Sequence, residues 1–570
     1  MINKELAKIF FEIADYLDMD EVSFRPQAYR KAANSLEVME ENVGDIYKKG
    51  GIKALENISG VGKNIAKRIE EYLKKGKIQY YERFKKRLPL NLEELNRVEG
   101  MGPKRAKLLY SKLGVRDLKT LEKAAKSHKI ASLDGFGEKT EKNIIEAINF
   151  LKRSKGRFLL GEILPSVKEI QEKLESQKEI EQISPAGSVR RKKETIGDVD
   201  ILVATKNPKK IADFFVSLPG IVKIWGKGQT KSSIRMKEGF DVDLRVLRKK
   251  SYGSALQYFT GSKEHNIALR RIAIQKGLKL SEYGLFKGRD MIAGWSEEGV
   301  YKALGLLWIE PELRENQGEI EAAMKGRLPN LVNLTEIKGD LHCHSNWDGG
   351  LNSIDTMVKE AKIMGYEYLG ISDHTKFLRI EKGLNEKKLE MRNKEIDRLN
   401  KKQVNFRILK GAETNILNDG SIDIKDEALK KLDYVIAGLH SNFKMEKDRM
   451  TERIIRAMKN PNIDILSHPT GRILKKRDEY QCDFDKVLRA AKAYNVSLEI
   501  NASPLRLDLN DQNIKRAKEA GVKMIINSDA HRKEQLYLME FGVYQARRGW
   551  AEKEDIINTH SVEELLKYFK

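Results

Sequence analysis

The second half of the chain repeats one pattern, in which a short run of apolar residues ends at a residue able to bind a metal ion. Stretches with helical spacing of apolar positions separate these runs. The alternation predicts parallel strands joined by helices, in a β/α barrel whose strand ends converge on one face. A lone histidine at such an end is more often a core residue, but the placement recurs too often for that alternative. The polar residues are His342, His344, His374, Glu413, His440, His468, Asp529 and His531.

The first 150 residues carry a different pattern that occurs three times: an apolar residue, then Gly-x-Gly, then a run with helical spacing. Its glycines are Gly60, Gly62, Gly100, Gly102, Gly135 and Gly137. A tight glycine turn that leads into a helix lets a phosphate approach free N–H groups. The segments resemble helix-hairpin-helix motifs, which hold DNA backbones without reading sequence. One copy alone has an ordinary helix turn as its alternative, and repetition weakens that alternative.

Two strand-like runs between these regions place carboxylates in phase. Asp198 and Asp200 alternate along one run and project from the same face, as do Asp241 and Asp243 along the other. Carboxylates from two strands can hold two Mg²⁺ ions, which activate a 3′-hydroxyl and neutralise a pyrophosphate leaving group. Acidic residues on a solvated strand edge are the alternative. A preceding Gly-Ser turn with arginines, typical of a triphosphate cradle, favours nucleotidyl transfer.

Composition and charge limit the class of binding partner and the cellular compartment that we expect. A formal net charge of +23 favours a polyanionic partner such as nucleic acid, although a generally lysine-rich proteome remains an alternative. The two cysteines, Cys343 and Cys482, cannot form a disulfide framework, and we interpret Cys343 as core packing. Neither a membrane-spanning run nor a secretory leader is evident, so we expect a cytoplasmic protein. We further expect a monomer that takes no membrane as a partner.

The segment from Gly187 to Val203 resembles the signature of family X polymerases related to DNA polymerase beta. The run Val242 to Arg245 resembles that family's third-carboxylate segment, and Tyr258 to Ser262 resembles its sugar-contacting segment. The resemblance implies that Asp198, Asp200 and Asp243 are catalytic metal ligands for Mg²⁺. It also implies that Gly187, Ser188, Arg191 and Gly197 bind the triphosphate of a dNTP, that Tyr258 and Gly261 crowd the sugar 2′ position, and that Asn266 and Arg270 line the nascent pair and template. Asp241 has no counterpart, so we expect a structural or supporting role.

The N-terminal portion resembles the small lyase domain of the same family. Arg25 and Tyr29 fall where that domain grips a DNA 5′-phosphate. The position of its Schiff-base lysine is Arg68 here, and a guanidinium cannot form the imine. We therefore expect 5′-phosphate binding with weak or absent deoxyribose-phosphate lyase activity. Rescue by Lys63 or Lys67 remains open.

Residues 335 to 570 resemble the polymerase and histidinol phosphatase (PHP) domain family. The resemblance implies that the eight polar residues at the strand ends are metal ligands, with Asp348 as a ninth. Asp348 lies one position earlier than in the commoner form of the motif. The implied ions are two or three Mn²⁺ or Zn²⁺, which polarise a phosphodiester. Arg472 has two interpretations, a ligand for substrate phosphate or a solvated side chain.

The combined resemblance is to microbial family X polymerases, and it implies a multidomain α+β protein. We predict a helical lyase-like domain at 1–85, helix-hairpin-helix fingers at 86–155, a nucleotidyltransferase palm with a mixed sheet at 156–250, a thumb-like domain at 251–320, a linker at 321–338 and a distorted β/α barrel at 339–570. The predicted function is gap filling in base excision repair, with 3′–5′ exonuclease or phosphoesterase activity in the barrel. The alternatives are a polymerase with a silent barrel, a non-enzymatic DNA-bridging protein, and a small-molecule phosphatase.

Overall fold

The computed structural model describes residues 2–39, 41–58, 60–95, 98, 101–138, 140–142, 144, 145, 147, 148, 157–379 and 381–569. The chain divides into two compact units. The first unit comprises Met1–Arg157, Lys263–Ser281 and Leu285–Ile292, and the second comprises Phe158–Ser262, Glu282–Gly284 and Ala293–Lys570. No helix in the described part of the chain is both long and apolar enough to cross a membrane.

The first unit is built mainly from helices. Apolar residues in the first helix recur at helical spacing, and Leu6, Phe10, Ile13 and Leu17 are all buried on one face. The helices are Ile2–Met19, Arg25–Val38, Val43–Glu56, Lys63–Lys75, Gln79–Arg87, Leu92–Leu95, Pro103–Leu113, Leu118–Lys126 and Lys263–Gln275. The strand Lys279–Ser281 and most of Gly284–Lys287 and Asp290–Ala293 also belong to it. The predicted helical N-terminal region is confirmed.

The second unit begins with a mixed five-stranded sheet, as predicted for the palm. Its strand order is Ile180–Pro185, Val199–Thr205, Asp241–Leu247, Lys231–Met236 and Ile221–Lys227. The second and third strands are parallel, and the other neighbours are antiparallel. The short strands Phe158–Leu159 and Thr195–Ile196 pair separately. The accompanying helices are Leu160–Glu175, Gly187–Arg190, Pro208–Phe215, Tyr252–Thr260, Glu297–Ala303 and Glu319–Met324, with 3-10 turns at Lys249–Ser251, Pro311–Leu313 and Leu334–Glu336.

The rest of the second unit contains parallel strands in two sheets, alternating with helices. The strands are Gly339–Asp340, Tyr368–Ile371, Arg407–Lys410, Glu413–Asn415, Ile436–Gly438, Ile465–Leu466, Ser497–Asn501 and Met524–Asn527. Parallel bridges from His374 to Glu413 and from Cys343 to Ala530 connect the two sheets. The predicted barrel-like β/α arrangement is thereby confirmed. Cys343 is buried in its core, as predicted.

Helices cover the outside of the barrel because their apolar faces pack on the strands. They are Ile354–Ile363, Glu386–Asn400, Asp426–Leu429, Lys447–Met458, Phe484–Ala493, Asp511–Ala520, Met539–Arg548 and Val562–Leu565, with 3-10 turns at Lys533–Leu538, Lys553–Asp555 and Ile557–Thr559. The segment predicted as a linker is packed: Val332 is buried in the barrel core, and its N–H donates to the carbonyl of Ala551 at 3.1 Å.

The palm and the barrel share apolar packing within the second unit. Leu507 and Phe541 belong to the barrel by sequence but are buried in the hydrophobic cluster of the palm sheet and its first helix. Lys168 of the palm pairs with Glu540 of the barrel at 3.2 Å. The two regions therefore form one continuous packed body.

Candidate functional site

The palm carboxylates lie on the two parallel strands of the mixed sheet. Asp200 is directly opposite Asp243 in the strand register, and Asp198 immediately precedes the first of these strands. Asp198 is exposed and the other two are half-buried. Burial, together with the charges of Asp198 and Asp243, raises the pKa of Asp200 to about 6. Three carboxylates gathered at adjacent strands form a donor set suited to a divalent cation.

Basic and hydroxyl side chains hold these carboxylates. Ser233 donates to Oδ1 of Asp243 at 2.6 Å, and Lys231 lies 2.7 Å from Oδ2. Arg245 contacts Asp200 at 3.2 Å and Asp243 at 3.8 Å. Within the described residues, the clusters whose ligand atoms all lie within 4.8 Å of one another are in the barrel, and the palm carboxylates are not such a cluster. Binding of an ion here would therefore compete with Lys231 and Arg245.

Asp241 has the supporting role expected for it. Arg235 binds both of its oxygens at 2.8 Å, and the indole N–H of Trp225 donates to Oδ1 at 2.9 Å. These contacts occupy the carboxylate with a bidentate ion pair.

The Gly-Ser turn leads into the short helix Gly187–Arg190 beside the carboxylates. Gly187 has φ +59°, and a Cβ there would lie 3.4 Å from Oδ2 of Asp200, so glycine suits both the backbone and the space. Ser188 and Gly197 are half-buried in the same turn region. Arg191 contacts Glu315 through Nε at 3.0 Å and donates to the carbonyl of Thr260. Gly187 and Ser188 thus begin the short helix, Arg191 follows its last residue, and Gly197 follows the strand Thr195–Ile196.

The predicted sugar- and base-contacting residues divide between the two units. Tyr258 is half-buried, and its ring packs edge-on against Phe259 with centroids 5.1 Å apart. Gly261 has φ +70° and ends the helix Tyr252–Thr260. Both belong to the second unit, whereas Asn266 and Arg270 lie one turn apart on the helix Lys263–Gln275 of the first unit.

The helix-hairpin-helix glycines do two different jobs. Gly60 and Gly135 have φ +80° and +78°, and at Gly60 an added Cβ would lie 2.7 Å from the side chain of Lys31. Gly62 and Gly102 have negative φ values and begin the helices Lys63–Lys75 and Pro103–Leu113. In the first motif, only the first glycine therefore has a positive φ.

The second glycine of each motif faces open space. An added Cβ at Gly62, Gly102 or Gly137 would meet no atom of the described residues within 4 Å, which leaves room for a phosphate backbone near these helix starts. Gly100 lies outside the described residues.

A cleft of about 400 Å³ in the first unit joins the first glycine motif to the lyase-like residues. It is lined by Gly60 and Gly62 and by three side chains, of which Arg25 is exposed, Tyr29 is buried and Arg68 is half-buried. The guanidinium of Arg68 lies 3.7 Å from the ring centroid of Tyr80, a cation–π contact. The side chain at the position of the lyase lysine is thus engaged as a cation.

The predicted barrel ligands converge on one buried carboxylate, Glu413. One or the other of its oxygens lies 3.2 Å from His342 Nε2, 2.8 Å from His374 Nδ1, 3.3 Å from His440 Nε2 and 3.1 Å from His468 Nε2. Clusters with ligand spacing are His344–His374–His531, His342–His344–Asp529, His374–Glu413–His440 and His344–Asp348–Asp373. The strand ends gather all the predicted residues, because parallel strands end on the same side.

Unpaired nitrogens indicate what the barrel centre can hold. Nε2 of His342 and of His344 are buried and make no hydrogen bond of acceptable geometry to any described residue. Leaving a buried imidazole nitrogen unpaired costs free energy, and a cation bound there would remove that cost. The donor set therefore fits a metal ion.

A further layer of side chains orients the histidine rings. Nδ1 of His342 lies 2.6 Å from Glu499, and Nδ1 of His440 lies 2.7 Å from the amide oxygen of Asn415. Nδ1 of His344 lies 2.8 Å from Asp348. Because Nδ1 of each of these three rings is engaged on the outside, Nε2 of each ring points to the centre.

Asp348 is buried and fully engaged. Besides the ring of His344, it accepts the backbone N–H of His374 at 2.8 Å and that of Gly350 at 2.9 Å. These contacts orient His344 and close the loop after the first strand. Its role as a ligand remains a prediction.

In the barrel centre, burial and neighbouring charges act in opposite directions on the pKa values of Glu413, His344 and His440. Burial alone would raise the pKa of Glu413, but the imidazoles of His342, His374 and His440 hold it well below its usual range. Burial works against protonation of His344, yet Asp348 raises the pKa of that ring to about 10. Burial lowers the pKa of His440 to about 4, and Glu413 does not offset it.

Glu499 and Asn415 were missed by reasoning from the sequence, and Asp373, which precedes the predicted ligand His374, was given no role. Glu499 lies within the strand Ser497–Asn501, in which polar and apolar residues alternate. Asp373 accepts from the N–H of Ser345 and pairs with the buried Arg392 at 3.2 Å. A search for carboxylates within strands as well as at their ends would have found Glu499.

Arg472 has a protein carboxylate as its partner in this structure. It is buried, pairs with Glu194 of the palm at 2.7 Å and donates to the carbonyl of Leu507. The solvated alternative is therefore wrong, and the side chain joins barrel to palm.

Comparison with protein families gives four matches along the chain. They are to a helix-hairpin-helix domain at residues 1–78, a SAM-like helix-hairpin-helix tandem at 92–149, the DNA polymerase beta thumb at 255–315 and the PHP domain at 340–503. The order of these matches agrees with the order of the structural regions.

The chain is also similar to curated proteins. It is 36% identical over 575 residues to the DNA polymerase/3′-5′ exonuclease PolX of Bacillus subtilis (strain 168), with 100% of both chains covered. A probable phosphatase of Thermoanaerobacter sp. (strain X514) is 44% identical over 134 residues, which are 22% of this chain and 52% of that protein. A probable phosphatase of Acetivibrio thermocellus is 30% identical over 201 residues, 34% of this chain and 78% of that protein.

Proposed function

Because the chain belongs to the family X DNA polymerases that carry a PHP domain, we propose that it extends DNA primers and shortens DNA from the 3′ end at two separate sites. One observation carries the proposal: an aspartate set on two parallel strands and a buried histidine–carboxylate centre occur in the same chain. The first suits transfer of a nucleotide to a hydroxyl, and the second suits hydrolysis of a phosphodiester.

In the palm, Asp198, Asp200 and Asp243 would hold Mg²⁺, which neutralises charge on the triphosphate. We assign Asp243 to the primer 3′-hydroxyl, since Ser233 fixes one of its oxygens. Gly187, Ser188, Arg191 and Gly197 would bind the triphosphate. Tyr258 and Gly261 would exclude a 2′-hydroxyl, and Asn266 and Arg270 would line the nascent pair and template.

In the barrel, the nine predicted residues would hold two or three Mn²⁺ or Zn²⁺ ions, which supply Lewis acidity to a phosphodiester. Glu413 touches four of the histidines and is the centre of the set. Glu499 and Asn415 fix the orientation of two rings from outside, and Asp348, besides its proposed role as a ligand, lies 2.8 Å from Nδ1 of His344. The half-exposed residues His440, Asp529 and His531 mark the side from which a DNA 3′ end would enter.

We propose DNA binding through the helix-hairpin-helix glycines and the 5′-phosphate cleft of Arg25 and Tyr29. Lyase activity is expected to be weak or absent, because Arg68 is stacked on Tyr80 and a guanidinium cannot form the imine. The proposed setting is gap filling during base excision repair by a cytoplasmic monomer. The domain boundaries given above are proposed with it.

The decisive assay uses a labelled primer facing a one-nucleotide gap, with and without dNTPs, in Mg²⁺ and then in Mn²⁺. Wild type should extend the primer when dNTPs are present and shorten it when they are absent. Absence of extension under every condition would contradict the polymerase assignment. Extension without any shortening would reduce the barrel to a scaffold.

A 3′-phosphatase activity is the second candidate for the barrel, because relatives that match this region are named probable phosphatases. The same primer carrying a 3′-phosphate tests it. Release of phosphate before any shortening would favour the phosphatase, whereas loss of whole nucleotides with no free phosphate would favour the exonuclease.

A further inference from the structure

The loop formed by residues 191–194 connects the Gly-Ser turn of the palm to the strand Thr195–Ile196 and hence to Asp198. Lys192 within it has φ +53°, a strained backbone for a non-glycine residue. We call this segment the nucleotide loop, because Arg191 is proposed to bind the triphosphate. A loop with strained backbone keeps its shape only when its surroundings hold it.

The barrel holds one end of the nucleotide loop through Arg548. This arginine ends the helix Met539–Arg548, and its side chain is 2% exposed. It donates to the carbonyl of Arg191 at 2.8 Å and pairs with Glu315 at 3.2 Å and with Asp511. Glu315 in turn binds Nε of Arg191 at 3.0 Å. Backbone and side chain of Arg191 are thus fixed by one network centred on a barrel residue.

The barrel holds the other end through Arg472. Its guanidinium pairs with Glu194 at 2.7 Å and is anchored by the carbonyl of Leu507. Between the two ends, the ammonium of Lys192 lies 4.3 Å from the ring centroid of Tyr544, also a barrel residue. Three of the four loop residues therefore contact the barrel.

We infer that Arg472 and Arg548 are positioning residues for nucleotide binding by the palm, so that dNTP affinity depends on the barrel apart from any hydrolysis there. The inference rests on the proposed polymerase function and names a role for contacts outside both metal sites. Neither arginine is among the residues proposed to bind the triphosphate or the primer. They act by fixing where Arg191 and the following turn lie.

The test is steady-state filling of the one-nucleotide gap by the full chain, with dNTP concentration varied. Glu194→Gln and Arg472→Ala should each raise KM for dNTP about tenfold and change kcat less than about threefold, since the loop is displaced but the carboxylates are intact. The double variant should be no worse than the worse single variant, because both remove one interaction. Arg472→Lys should recover part of the loss, because it keeps the charge.

The control is Lys210→Met, which breaks the Lys210–Glu179 pair of the palm at 2.5 Å and lies outside both the nucleotide loop and the barrel. It should leave KM for dNTP unchanged. Glu194→Gln should also leave 3′ shortening unchanged, since its carboxylate lies on the palm side.

A KM within twofold of wild type for both Glu194→Gln and Arg472→Ala would overturn the inference. So would equal losses in kcat and thermal stability with no change in KM, because that pattern indicates a merely structural contact. Failure of wild type to extend any primer would instead contradict the proposed function on which the inference depends.

Discussion

The palm and the barrel handle buried charge in different ways. In the palm, Lys231 and Arg245 lie beside Asp200 and Asp243, so protein cations already offset the carboxylates. In the barrel, histidines surround Glu413, and Nε2 of His342 and of His344 are buried without a well-formed hydrogen bond to any described residue. A site of the first kind can take up its ions together with a nucleotide. A site of the second kind is built to keep its ions, because losing them leaves buried donors unpaired.

The largest expected effect separates the two sites. Asp243→Ala should reduce extension at least about 10³-fold, or roughly 4 kcal/mol in activation free energy, because it removes a ligand and the group assigned to the 3′-hydroxyl. Shortening in Mn²⁺ should stay within twofold. Gap filling and 3′ shortening measured on one preparation provide the check.

Asp241→Asn is the matched control, since Asp241 lies two residues away on the same strand but is occupied by Arg235. Its extension rate should fall far less than that of Asp243→Ala. Equal losses in the two variants would contradict the assignment of Asp243.

The converse substitution is His344→Ala. It should reduce shortening at least about 10²-fold and leave extension unchanged, since His344 belongs to three of the four ligand clusters in the barrel. His560→Ala replaces a histidine outside those clusters and should leave both activities unchanged. Loss of extension in His344→Ala would show that the two sites are not independent.

The second unit contains a third arrangement of buried charge, in which the carboxylate of Glu297 pairs with two arginines. Burial acts to raise the pKa of Glu297, but Arg314 and Arg190 overcome it and hold the value at about 2. Because folding lowers the pKa of Glu297 from 4.5, the ionised carboxylate stabilises the fold by roughly 3 kcal/mol above pH 4.5. This stabilisation is lost as the pH falls towards 2.

The difference in free energy of unfolding between wild type and Glu297→Gln should therefore shrink by roughly 2 kcal/mol between pH 6 and pH 3. Urea unfolding at the two pH values measures it. Glu298→Gln, at an exposed neighbour, should show no such change. A difference that does not vary with pH would mean that the carboxylate contributes no ionic stabilisation.

The smallest expected effect concerns the outer layer of the barrel centre. Glu499→Gln should weaken metal binding by about 10- to 100-fold, because the ring of His342 loses its charged partner. Titration of the chelated protein with Mn²⁺, followed by calorimetry, gives the affinity directly. Unchanged affinity would show that Glu499 only fills space.

The sequence predicted most of the barrel centre because each ligand ends an apolar run, a local signal. It did not predict Glu499, whose importance depends on a ring from a strand far away in the sequence. The two palm strands that carry the carboxylates were predicted from the alternation of Asp198 to Val203 and of Asp241 to Val246, but their parallel register, with Asp200 opposite Asp243, was not. The destination of Arg472 could not be predicted, since its partner Glu194 is distant along the chain. Side chains that bridge regions leave no periodic trace.

The burial of Phe541 and Leu507 in the palm cluster has a consequence for how separable the two halves are. A chain cut between residues 338 and 339 would expose these apolar side chains to water, and Arg548 would lose its partner Glu315. Hydrophobic surface newly opened in this way promotes aggregation. The polymerase and the barrel should therefore unfold together on heating, and neither half expressed alone should reach the solubility of the whole.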